Sequence, residues 1–167
     1  MRKAVSITVV IIVAVVGLFL YGMPSEEKEP TITAPIANEY PYMNLIMPDG
    51  SIHSARDLPV KSILVIYYPD CDHCQREAAE ISNHLLSFKN YYVWFISISS
   101  FAEIQKFAIQ YKLIGHKNVY FVRTEAQDVI SSFGGIPTPS VYIYSQEKRL
   151  VKAFNGETKI EEIIKHL

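Results

Sequence analysis

Ile63-Leu64-Val65-Ile66-Tyr67-Tyr68-Pro69-Asp70-Cys71-Asp72-His73-Cys74-Gln75-Arg76-Glu77 is the stretch that decides the fold. Its first six residues are apolar or aromatic without interruption, the pattern of a central parallel strand covered on both faces. Pro69-Asp70 ends that strand. From Cys74 onward Ala78, Ile81, Leu85, Leu86 and Phe88 recur at helical spacing, so a strand should pass directly into a helix with two cysteines at the junction.

That position gives the cysteines their chemistry. Cysteines three residues apart at a first helical turn can close a small disulfide. The first of them meets the free N–H groups and dipole of the helix start, which favour a thiolate. Cys71 is therefore the expected nucleophile, and Cys74, one turn inward, the thiol that resolves a mixed disulfide. Half of a zinc site is the competing use, but four ligands are needed and no second CxxC or HxxxH occurs in the chain.

Outward from this junction, strands and helices alternate. Tyr42 to Met47, the turn Pro48-Asp49-Gly50 and Ser51 to His53 read as an opening hairpin. A second strand, Tyr91 to Ile98, leads to a helix opened by the capping-box pattern Ser100-x-x-Glu103, with Phe101, Ile104, Phe107, Ala108 and Tyr111 inward. Val119 to Val122 is a third strand. Thr124-x-x-Gln127 is expected to cap the short helix carrying Val129, Ile130 and Phe133, which Gly134-Gly135 stops. Val141 to Tyr144 and Leu150 to Phe154 form a closing antiparallel pair, and Thr158-x-x-Glu161 is expected to cap a last helix. The pattern predicts an α/β fold with a mixed sheet and helices on both faces.

The segment Tyr67 to Glu77 resembles the active-site segment of the thioredoxin superfamily, nearest its membrane-anchored TlpA/ResA-like branch. The resemblance covers about residues 40–167 and implies a thioredoxin-like thiol-disulfide oxidoreductase that needs no cofactor or metal. It implies that Glu77 assists proton transfer at the buried thiol, and that His73 helps stabilise the thiolate, as in CPHC members. Ile136-Pro137-Thr138-Pro139-Ser140 resembles the family's cis-proline loop, with Pro139 as the matching proline, since Pro137 would set another proline inside the next strand. Asp70 and Asp72 stand where the family often has tryptophan and proline. With Glu77 they place negative charge around the dithiol, which stabilises its disulfide and points to a reductant. A peroxiredoxin-like peroxidase and a non-catalytic module binding a metal or partner are the rival readings.

The first forty residues concern location. Ala4 to Tyr21 is an uncharged, mostly apolar run, about 27 Å long as a helix, and Arg2 and Lys3 precede it while Glu26, Glu27 and Glu29 follow. Residues 1–21 read as a transmembrane anchor with the amino terminus in the cytoplasm, or else as a cleaved signal sequence that would leave a soluble exported protein. Residues 22–39 read as a linker and 40–167 as the thioredoxin-like domain, facing the periplasm or cell exterior. With 16 basic against 17 acidic residues there is no field to gather phosphates, which argues against nucleic acid. The expected partners are extracytoplasmic protein disulfides or thiols, the membrane through residues 4–21, and an electron-donor protein.

Overall fold

The structure, a computed structural model, describes residues 38–167. The proposed anchor, and the linker apart from its last two residues, lie outside the described residues. Among those described, no helix is long and apolar enough to cross a membrane.

Asn44–Ile46 (β1) and Ile52–Ser54 (β2) pair antiparallel across Pro48-Asp49-Gly50. Gly50 takes φ +84, a conformation costly for any residue with a Cβ, and its N–H donates to Met47 O at 2.9 Å. Ser62–Ile66 (β3), Tyr92–Ser97 (β4) and Val119–Arg123 (β5) are parallel, and β1 meets β5 antiparallel at Ile46 and Arg123. Ser140–Tyr144 (β6) runs antiparallel to β3, and Leu150–Asn155 (β7) antiparallel to β6. The seven strands lie in the order β2-β1-β5-β4-β3-β6-β7. Among the described residues, the α-helices Asp72–Asn83 (α1), Phe101–Gln110 (α2) and Ala126–Phe133 (α3) connect strands, and Ile160–Ile164 (α4) follows β7.

The continuous apolar run of β3 is divided between two cores by the period of a strand. Ile63 and Val65 face Cys74, Ala78 and Ile81 of α1, Phe107 of α2, and Ile160 and Ile163 of α4. Leu64 and Ile66 face the other way, toward Phe133 of α3 and toward Tyr40, Met43 and Leu58. All five β3 residues are buried, each apolar side chain contributing about 1.5–3 kcal/mol. This is the reason for its lack of polar alternation.

Three expectations need correction. α1 stops at Asn83, and Leu85–Phe88 form a 3-10 turn. Side chains three apart eclipse in such a turn, so Phe88 is buried and Leu85 packs against the core while Leu86 is 85% exposed. Thr124 does not cap α3: Glu125 holds that position without a side-chain bond, and the Thr124 hydroxyl donates to Asn44 O at 2.7 Å, joining β1 to the end of β5. Ile130 of that helix is largely exposed. Nor does Thr158 cap α4, where Lys159 is the cap residue, because the Thr158 hydroxyl turns back to Gly156 O.

Candidate active site

β3 delivers the cysteines to the carboxyl end of the parallel strands in three steps. Tyr67 N–H still donates to Ile96 O at 3.1 Å, and its buried ring packs on Phe107 with centroids 4.6 Å apart, so the chain is held to the sheet one residue past the strand. Pro69-Asp70 then turns, closed by Cys71 N–H on Tyr68 O at 3.2 Å and by Gln75 Nε2–H on Pro69 O at 3.0 Å. Cys71, in extended conformation, becomes the N-cap of α1: its carbonyl accepts from Gln75 N–H at 3.0 Å and its Sγ from Cys74 N–H at 3.4 Å.

The two thiols are unequal. Cys71 is half-buried, and its Sγ lies 3.8 Å from Thr138 O. Cys74 is buried in the core beside Tyr67, Ala78 and Ile81, and burial, reinforced by the Cys71 sulfur, pushes its thiol up to about 12. The cysteines are unbonded, so the geometry is that of the dithiol form. Across from them the Thr138–Pro139 peptide is cis, at the position anticipated for Pro139, and Pro139 is buried. Beside Thr138 an apolar hollow of about 180 Å³ opens between Tyr68, Ile98, Val129, Ile130 and Ile136.

Glu77 lies on the buried side of α1, one turn beyond Cys74, and is 2% exposed. Its Oε2 accepts from Thr158 N–H at 3.0 Å, while Oε1 has no partner among the described residues. Burial raises its pKa to about 7 against the opposing pull of the Thr158 bond, with the nearby Glu157 adding to the rise. At neutral pH this carboxyl is therefore only part ionised. The negative field expected around the dithiol has less support from Glu77 than from Asp70 and Asp72.

His73 points to the loop before α4, where its Nδ1 lies 2.6 Å from Glu157 Oε2. Arg76 closes a two-pronged bridge on the same carboxylate, Nε–H to Oε1 at 2.8 Å and Nη2–H to Oε2 at 2.7 Å. These bonds, first Arg76 and then His73, hold Glu157 down to about 2. Arg76 Nη2 also lies 2.7 Å from His73 Nδ1, so the three side chains form one cluster. The hydrogen bonds of His73 go to this cluster and not to Cys71. Among the described residues, no three His, Cys, Asp or Glu side chains gather as a metal set.

The structure thus brings together Cys71, Cys74 and the Thr138–Pro139 loop, with Glu77 one helical turn beyond Cys74 and His73 at the rim. Glu157 and Thr158 were not anticipated as neighbours of the site. They lie 81 residues from their partners Arg76 and Glu77, and only the return of β7 beside the cis-proline loop brings them there.

No family model matches the chain, and no curated protein matches it by sequence. Solved structures do match. MTB DsbF, seen in mixed oxidised and reduced forms, is 17% identical over 75% of this chain and 92% of its own, with a TM-score of 0.61. A secreted Mycobacterium tuberculosis disulfide oxidoreductase homologous to E. coli DsbE is 17% identical over 75% and 93%, at 0.58. Copper-bound ScoI of Arabidopsis thaliana is 16% identical over 77% and 94%, at 0.60. Strand order, the cysteine pair at the head of α1, the cis-proline facing it and these likenesses agree: the chain has the thioredoxin-like fold.

Proposed function

We propose that the chain is a thiol-disulfide oxidoreductase of the TlpA/ResA type that reduces disulfides of exported proteins. The observation that carries this reading is the inequality of the two thiols, with Cys71 at the helix cap against Thr138 and Cys74 sealed behind it. Cys71 as thiolate attacks one sulfur of a client disulfide, forming a mixed disulfide and releasing one client thiol. Cys74 gives up its proton and attacks Cys71 Sγ, which closes the Cys71–Cys74 disulfide and frees the second client sulfur. Two electrons pass from dithiol to client, and a separate donor dithiol restores them.

Glu77 has the task of receiving the Cys74 proton. A carboxyl at about 7 is near balance at neutral pH, where a general base works best, whereas an ordinary carboxylate is a weaker acceptor. The hollow beside Thr138 suits an apolar side chain of the client next to its cysteine. The location outside the cytoplasm, with the domain held to the membrane, rests on the run Ala4 to Tyr21 and its flanking charges. The secreted M. tuberculosis protein of like fold is in keeping with it.

The test is a single turnover of the reduced protein on a disulfide-bonded peptide. Cys74→Ser should accumulate the mixed disulfide on Cys71, seen by mass, and wild-type protein should release both peptide thiols. Equilibration with glutathione tests the direction of exchange: a potential near −270 mV fits a reductant, whereas one near about −120 mV refutes it.

A further inference from the structure

Three consecutive residues of the loop between β7 and α4 each hold a different part of the dithiol site. Gly156 N–H donates to Pro139 O at 2.8 Å, Glu157 takes His73 and Arg76 from the first two turns of α1, and Thr158 N–H donates to Glu77 Oε2. Of the three, only Glu157 grips through its side chain. Its bridge to Arg76 is the bidentate kind, which fixes orientation as well as distance.

We propose that Glu157 is a positioning residue for thiol exchange: by clasping Arg76 and His73 it holds the loop so that Thr158 N–H stays on Glu77 and Gly156 N–H on the cis-proline carbonyl. The inference rests on the redox reading above for its purpose, but its geometry does not. Among the described residues Glu77 Oε1 has no partner, so the Thr158 bond is the one hydrogen bond they give this buried carboxylate. Losing that bond leaves a carboxylate that resists ionisation.

The charges facing Glu77 set the sign of the test. Arg76 and Glu80 come from its own helix, and Glu157, Lys159 and Glu161 from the loop and α4, all lining a cleft of about 340 Å³. Glu157 influences Glu77 in two opposed ways. Its negative charge raises the Glu77 pKa, and the loop it holds lowers it through Thr158, the larger of the two effects. If Glu157 acted only as a charge, neutralising it would let Glu77 ionise more easily. If it positions the loop, neutralising it makes ionisation harder.

The experiment is a carbon-13 NMR titration of the glutamate carboxyls in the reduced full-length chain, with Glu77→Gln identifying the resonance. Glu157→Gln should move the Glu77 midpoint to higher pH by about half to one unit. Arg76→Lys, which keeps the charge but loses the fork, should move it the same way by less. A midpoint that falls or stays in place in Glu157→Gln overturns the proposal, and so does an unmoved midpoint in Arg76→Lys, the deciding variant if the first does not fold. The readout is a titration rather than a turnover, so it can fail while disulfide reduction stands, and the reverse.

Discussion

α1 and α2 both follow a parallel strand, yet they begin in opposite ways. α2 opens with a complete capping box: Ser100 Oγ accepts from Glu103 N–H, and Glu103 Oε2 accepts from Ser100 N–H at 2.9 Å and from its hydroxyl at 2.7 Å. α1 opens with a sulfur, a weak acceptor, at 3.4 Å from Cys74 N–H. Hydroxyl and carboxylate caps contribute about 1 kcal/mol. α1 forgoes much of this and keeps the thiol proposed as nucleophile where the hydroxyl would be. The contrast separates a helix start built for stability from one built for reaction.

Replacing the sulfur by the better cap should break the contrast most severely. Cys71→Ser should abolish disulfide reduction while leaving the fold as stable or up to about 1 kcal/mol more so, measured by peptide reduction and urea unfolding. Residual catalytic turnover in this variant would remove Cys71 from the nucleophile's role. Brief alkylation of the reduced protein at neutral pH should next label Cys71 at least about a hundredfold faster than Cys74, given the burial of Cys74 and its rise to about 12. Preferential labelling of Cys74, read by peptide mass, would reverse the two roles.

Glu77 gives a smaller effect, with a defined sign. Its pKa rises from the ordinary 4.5 to about 7 on folding, so between those pH values the folded chain keeps a proton that the unfolded chain has lost. Stability should fall as pH rises through that window, by up to about 3 kcal/mol, and level off above it. Glu77→Gln should remove this part of the decline; urea unfolding at pH 4.5, 6 and 8 that shows parallel curves for the two proteins would contradict the buried carboxyl. Ser100→Ala should have the smallest consequence, a loss of about 1 kcal/mol in the same unfolding experiment with thiol exchange unchanged. A change in exchange rate would mean that the two helix starts are not independent.

Much of this was legible in the chain because local rules decided it. The run Ile63 to Ile66 fitted a doubly covered strand best and is one, and Ser100 with Glu103 formed the bonds their spacing promised. Pro139 could be chosen over Pro137 because a strand begins at Ser140. Thr124 and Thr158 each matched a capping pattern, but the Thr124 hydroxyl went to the distant Asn44 O, whereas the Thr158 hydroxyl went to the nearby Gly156 O and its N–H to Glu77. Glu157 carried no local signal, since its meaning depends on Arg76 and His73 arriving from another helix. Leu86 shows the limit of counting by helical period when a helix has already ended.

The bridge between Glu39 and Arg149 bears on how the domain withstands a pull. Leu150 N–H donates to Asn38 O at 2.8 Å, Glu39 pairs with Arg149, and Arg149 Nη1–H reaches Glu39 Oε1 at 2.7 Å, so the first described residues lie along the start of β7. The loop that clasps the dithiol site begins at the other end of that strand, about 17 Å away. Tension applied to the chain ahead of residue 38 would therefore meet the Asn38–Leu150 and Glu39–Arg149 contacts before it reached β1.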